Sequence, residues 1–264
     1  MDLTEVKQRK GGDIQRHPWE LARFKVVNSL LSGVITNDKN YNVLDIGCGD
    51  IFFVSGMSEL YPNIKFYAID IAFTDEIIKN LQPQVQGKNI FLFKSLDEAA
   101  GHLQGQADLV LLLDVVEHID DDLGFLKMLF NHPSVSPKTD IMITVPAYQS
   151  LFCSHDHFLG HYRRYTNQTL LDTIKSAGFR QHRIGYFFSS LIPPRILQVL
   201  TEKIRKKDFS KGTTGLVEWN KGTFISNLMK SFLTTDFYIT SFLKKTTGIN
   251  LPGLSNYIIC KKAA

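Results

Sequence analysis

The chain contains no run of about 18 apolar residues, so no spanning helix is expected. It has only three cysteines, Cys48, Cys153 and Cys260, an odd number with no C-x-x-C pair. That argues against a disulfide framework and a structural zinc site, and favours a reducing compartment. Met1 to Gly12 is polar and lacks the apolar stretch of a signal peptide, so a cytoplasmic location is expected. There is no internal repeat and no low-complexity tract. There is also little excess charge. The net +4 over 264 residues gives no reason to expect DNA as a partner. What remains is the composition of an ordinary globular domain, 44% hydrophobic and 21% charged, long enough to bury a sizeable core. The charge is uneven, however. Residues 191–247 hold ten Lys/Arg against four Asp/Glu, a local surplus of +6, while the rest of the chain is −2.

Periodicity organises the chain. Pro18 to Val34 repeats apolar residues at helical spacing. Seven stretches then read as strands: Asn42–Ile46, Lys65–Ile69, Asn89–Phe93, Ala107–Leu113, Asp140–Val145, Gln181–Phe188 and Leu254–Cys260. The fourth is apolar at nearly every position, as in a parallel strand covered on both faces. Helices are expected at Phe52–Tyr61, Thr74–Leu81, Asp121–Phe130 and Asn167–Ala177, the last between Thr166 and Gly178. Strands alternating with helices at this spacing predict a doubly wound α/β sheet. Between the last two strands lie two amphipathic patterns, Ile196–Ile204 and Ile225–Leu243, too long a connection to be bare loop.

The strongest local signal is Val43-Leu-Asp45-Ile-Gly47-Cys48-Gly49-Asp50, a strand with an acid near its end and a G-x-G turn opening a helix. Glycines let the backbone approach a ligand closely, and the helix supplies free N–H groups. A second acid, Asp70, ends the next strand, where a carboxylate can accept both hydroxyls of a ribose. A dinucleotide site needs a third glycine where this chain has Phe52, which places a NAD-dependent dehydrogenase far behind. The alternative is D-x-G-x-G, with its acid at Asp45.

Asp45-Ile-Gly47-Cys48-Gly49 resembles the first motif of the class I S-adenosylmethionine-dependent methyltransferases. Ala68-Ile-Asp70 resembles their ribose-binding second strand, the run Asp108 to Asp121 their fourth strand and following loop, and Ile143-Thr-Val-Pro146 their fifth. The resemblance implies a Rossmann-like, mostly parallel, seven-stranded sheet in a single domain of residues 1–264. Residues 1–34 would form a helical cap, and 191–247 a helical, lid-like insertion between the last two strands. It implies S-adenosyl-L-methionine as cofactor. Gly47, Cys48 and Gly49 would hold the methionine portion, with Asp45 at its amino end and Asp70 on the ribose. Ile71 would lie against the adenine, Ser95 and Leu96 on its other side, and Asp114 beneath the sulfonium. One departure is Ile51, where the family has a third glycine; a side chain there is expected to narrow the loop.

Acceptor chemistry is expected after the fourth and fifth strands. Glu117 and His118 follow the fourth. After the fifth comes His155-Asp156-x-x-x-Gly160-His161-x-Arg163-Arg164-Tyr165-Thr166, which, with His17-Pro-Trp19-Glu-Leu-Ala-Arg23 and Pro252-Gly-Leu-Ser255, resembles a bacterial branch tied to sugar or lipid-linked metabolism. His118, His155 and Asp156 are the candidate bases, with no metal assigned. Asp156 with Arg163 or Arg164 also reads as a structural ion pair. The leading expectation is O-methyl transfer to a small-molecule or lipid-linked acceptor. Two alternatives stay open. One is a divalent-metal-assisted RNA 2′-O-methyltransferase, because Asp114, Glu117 and His118 plus a histidine near 155–157 resemble that ligand pattern. The other is a non-catalytic protein that only binds S-adenosylmethionine. The basic surplus and the apolar stripes of 191–247, including Phe232, Phe237, Tyr238 and Phe242, suggest a lid closing the acceptor pocket with aromatics. They also suggest peripheral contact with an anionic membrane.

Overall fold

A computed structural model describes residues 16–205, 219 and 221–263. The chain opens on helix α1 (Pro18–Leu31), fixed at its start by a capping box. His17 Nδ1 accepts from Trp19 N–H, and the Glu20 carboxylate accepts from His17 N–H. Proline then occupies the first helical position, where its missing N–H costs nothing. The α/β succession follows: β1 (Asn42–Ile46), α2 (Phe52–Leu60), β2 (Lys65–Ile69), α3 (Asp75–Val85), β3 (Ile90–Phe93), α4 (Leu96–His102) and β4 (Leu109–Leu113). Then come α5 (Asp122–Asn131), β5 (Asp140–Pro146), the short α6 (Ser154–Leu159), α7 (Asn167–Ser176) and β6 (Phe179–Phe187). Helices α8 (Ile192–Ile204) and α9 (Gly222–Thr247) precede the last strand, β7 (Ser255–Lys262).

The seven strands form one sheet in the order β3-β2-β1-β4-β5-β7-β6. β7 runs antiparallel to both its neighbours, and the other paired strands are parallel. Strand residues alternate between two buried layers, as the two-residue period requires. Val43, Phe66, Leu109, Leu111 and Met142 face one layer, while Leu44, Tyr67, Val110, Leu112 and Ile143 face the other. The doubly wound sheet expected from the periodicity, mostly parallel and seven-stranded as the resemblance implies, is therefore the fold. Chain direction across the sheet reverses between β1 and β4, which opens a crevice at the carboxyl ends of these strands.

Several elements differ from expectation. Helix α3 runs four residues beyond Leu81 and carries Pro83 inside; the Gln86 N–H still bonds to Gln82 O, so the turn closes past the proline. Helices α4 and α6 have too few apolar residues to show a period, and their starts come from capping instead. Ser95 Oγ accepts from Glu98 N–H, and Asp156 accepts from Cys153 N–H. In the insertion the second pattern is one 26-residue helix, α9, which packs on α1 through Leu233 and Phe237. Most of its stripe does not pack inward: Leu228, Phe232, Ile239 and Phe242 are exposed, as are Leu197, Leu200 and Ile204 on α8. Lys206, Lys207 and Lys211 of the basic cluster lie outside the described residues. No helix among the described residues is long and apolar enough to cross a membrane.

Candidate active site

The turn after β1 is built from left-handed backbone. Gly47 has φ +75° and Gly49 φ +59°. A Cβ on Gly47 would stand 2.6 Å from Val115 Cγ2, so the β1 and β4 turns meet only because this residue has no side chain. Ile51 is left-handed too, at φ 57°, an unfavourable conformation for a β-branched residue. Its side chain is wholly buried in the layer beneath the turn. The expectation that Ile51 narrows the loop is thus corrected: its bulk points into the core, and the departure from glycine is absorbed as backbone strain.

Asp70 clamps this turn. Its Oδ2 accepts from Gly49 N–H and its Oδ1 from Ala72 N–H, both at 2.9 Å. The carboxylate lies on the wall of a cavity of about 820 Å³ that fills the crevice. Gly47, Gly49, Ile71, Phe52 and Asp114 share this wall. Ile71 is 94% exposed, an apolar side chain at the rim that no described residue covers. Four other expected cofactor residues sit elsewhere. Asp45 and Cys48 are buried behind the turn, off the cavity wall, and burial pushes the Asp45 carboxyl up to about 7. Ser95 serves as the N-cap of α4, and neither it nor Leu96 reaches the wall.

Asp114, at φ +59°, is held by α1. Arg23 Nη2 is 2.9 Å from Asp114 Oδ2 and donates to Thr144 Oγ1, whose hydroxyl donates to Asp114 Oδ1. The Arg23 guanidinium also lies over the Trp19 ring. Helix α1 thus supplies a wall of the site, a role that its helical period alone does not reveal.

The other half of the cavity is formed by the loop after β4 and by α6. A 3-10 turn, Val116–His118, presents Glu117 and His118. Glu117 is fully buried, and neither carboxylate oxygen has a hydrogen-bond partner. Burial, then the nearby Asp114, push its carboxyl well above the usual range. The His118 ring stands edge-on to His161, with centroids 4.6 Å apart. Asp156 is also fully buried, and it is off the cavity wall. It lies 2.8 Å from both His161 Nδ1 and Arg164 Nε and accepts from Cys153 N–H. Burial opposes its ionisation, yet these partners outweigh that and hold the carboxyl well below its ordinary value. The sequence expectation of Asp156 as a base therefore meets a carboxylate that orients others and reaches no ligand. Arg163 goes to Asp122 and to the carbonyls of Ile119 and Asp120, tying the two loops together. His155 does line the cavity, and burial, helped by Arg195, lowers its pKa to about 4. His157 is exposed beside Phe152. From the insertion, Leu191, Pro194, Arg195, Gln198, Met229 and Leu233 reach the cavity. Among the described residues none of the insertion's aromatics does, Phe232, Phe237, Tyr238 and Phe242 included, which corrects the expectation that these four close the pocket.

A glycine turn with a carboxylate clamp stands at the reversal point of a doubly wound sheet, beside a histidine-rich wall, where such sheets bind their ligands. Residues 20–190 match the model of a methyltransferase-domain family, and the chain belongs to that family. It is a methyltransferase. The close approach at Gly47 and the carboxylate on the cavity wall would suit the amino-acid and ribose portions of S-adenosylmethionine. Among solved structures, coclaurine N-methyltransferase is similar at 12% identity, covering 96% of this chain and 74% of that one, with a TM-score of 0.54. Phosphoethanolamine N-methyltransferase 2 of Haemonchus contortus is similar at 14% identity, over 96% of this chain and 55% of that one, TM-score 0.54. The cyclase SpnF is similar at 12% identity, over 96% and 86%, TM-score 0.56. At such identities the likeness concerns the fold and leaves the acceptor open. No curated protein matches the chain.

Proposed function

We propose that the protein transfers the methyl group of S-adenosylmethionine to a hydroxyl oxygen of a small or lipid- or sugar-linked acceptor. The observation carrying this reading is a neutral histidine, His155, on the wall of the cavity that also holds the cofactor turn. A base is needed when the acceptor must lose a proton, as a hydroxyl must. The bound cofactor supplies an electrophilic methyl on a sulfonium. The chain's residues supply position. Gly47 and Gly49 bring backbone to the methionine portion, Asp70 holds the ribose, and Ile71 covers the adenine. Asp114, oriented by Arg23 and Thr144, would hold the sulfonium end. The acceptor oxygen bonds to the methyl carbon as the carbon–sulfur bond breaks toward sulfur, and His155 takes the hydroxyl proton. His118 is a second histidine on the acceptor side of the cavity, and Asp156 acts as a positioning residue. Arg195 has no carboxylate partner among the described residues and lines the acceptor half. It suits a phosphate or carboxylate on the acceptor.

The pH profile tests the base. With His155 near 4, kcat/KM should fall on the acid side near pH 4–5 rather than near 6.5. His155→Asn should lower kcat about 100-fold or more with cofactor affinity unchanged. An acid limb near 6.5 that survives in His155→Asn would move the role to His118. The same depression has a stability cost. Between pH 6.5 and 4 the unfolded chain binds a proton that the folded chain refuses, so stability falls as pH drops through that window.

The exposed stripes of α8 and α9, beside the basic surplus of 191–247, support peripheral binding to an anionic bilayer. Wild type should sediment with phosphatidylglycerol vesicles at low salt and be released at high salt. Each of Lys203, Arg205, Lys206 and Lys207 changed to Glu should weaken binding by on the order of 1 kcal/mol or more. Binding indifferent to salt and to these changes would remove the charged face from the proposal.

A further inference from the structure

We propose that Glu117, His118 and His161 form a binding site for one divalent transition-metal ion, such as Zn2+ or Mn2+, on the acceptor side of the cavity. One carboxylate oxygen and two ring nitrogens from these residues lie within 4.8 Å of one another. All three residues reach the cavity, so an ion there keeps open positions for a ligand. Two imidazoles and one carboxylate, with room for more, is a common catalytic donor set.

Two features single this cluster out. The first is Glu117. Burying a carboxyl with both oxygens unsatisfied is costly, and no described residue donates to either oxygen. The nearest guanidinium groups are engaged, Arg23 by Asp114 and Arg164 by Asp156. A cation between Glu117 and the histidines removes that cost. The second is Asp156. An ionised carboxylate only accepts, so its contact with His161 Nδ1 places the proton on that nitrogen. Nε2 then carries the lone pair, the tautomer a metal requires. A buried carboxylate behind a histidine is the usual orienting partner of a metal-bound imidazole, and here Arg164 and Cys153 N–H hold that carboxylate in turn.

This set differs from the one the sequence suggested. Asp114 is committed to Arg23 and Thr144, His157 is exposed beside Phe152, and His161 takes the place given to a histidine near 155–157. The ion's role rests on the O-methyl reading. It would lower the pKa of an acceptor hydroxyl, whose proton passes to His155 as the oxygen–methyl bond forms and the carbon–sulfur bond breaks toward sulfur.

Calorimetric titration of chelator-treated protein with Zn2+ or Mn2+ alone tests the site, and S-adenosylhomocysteine titrated in parallel reports the fold. The expected result is one ion per chain, weakened at least tenfold by Glu117→Gln and by His161→Asn, with product affinity unchanged. Asp156→Asn should weaken the ion about 10- to 100-fold. Because a buried variant can fail to fold, Co2+ added to wild type gives a second reading: visible bands of mixed nitrogen and oxygen ligation. Product binding without ion binding overturns the site and leaves the methyltransferase reading standing, as does ion affinity equal in wild type, Glu117→Gln and His161→Asn. Full methyl transfer in excess chelator overturns the ion's catalytic role.

Discussion

Asp70→Ala is expected to weaken S-adenosylmethionine binding about 100-fold or more. The carboxylate has two tasks on one residue. It accepts from Gly49 and Ala72 N–H, fixing the turns after β1 and β2 relative to each other, and it faces the cavity where the ribose would lie. Hydrogen bonds to a charged acceptor contribute about 1.5–3 kcal/mol each, and losing two ribose bonds already exceeds about 3 kcal/mol. The loosened glycine turn adds to that loss. Asp70→Asn keeps one acceptor oxygen and should fall between wild type and Ala. Both variants should retain a cooperative melt, since Asp70 is outside the two apolar layers. Calorimetry that found the Ala variant within threefold of wild type would separate Asp70 from the cofactor.

Arg164→Met is expected to destabilise the fold by about 3–5 kcal/mol, because it strands a buried carboxylate. Arg164 is 6% exposed and Asp156 not at all. The guanidinium also donates to Ala147 O, anchoring the segment after β5. For a chain of this size that loss lowers Tm by roughly 10 °C. The double variant Asp156→Leu with Arg164→Met should lose less than Arg164→Met alone, since no charge is left unpaired. A single variant that melts like wild type would show that the Asp156 network does not hold this loop.

Much of the fold was legible because it follows from period and turn chemistry. The strands showed as short apolar runs, and Gly47-x-Gly49 marked a turn that only glycine permits against Val115. What escaped depends on contacts across the sheet. Nothing in the spacing says that Arg23 of α1 reaches Asp114, or that Glu117 is buried without a partner. The histidine stretch was visible as chemistry but not as geometry. Helix α6 carries His155 into the cavity and leaves His157, two positions on, at the surface, as residues two apart on a helix do. His161 joins His118 only because Tyr162 N–H bonds to Glu117 O and Arg163 ties down the 119–122 loop. The period of α8 and α9 showed apolar stripes but not which way they face. In the fold α9 meets α1 along a narrow contact, and most of the stripe stays outside.

The account rests on the Gly47–Gly49 turn and Asp70 holding S-adenosylmethionine in the same cavity as His155. Calorimetric titration of the wild-type chain with S-adenosylhomocysteine, with NAD as the control, measures this directly. The account predicts saturable binding of one S-adenosylhomocysteine per chain and no binding of NAD. Binding of NAD, or no binding of S-adenosylhomocysteine to a folded chain, would contradict it.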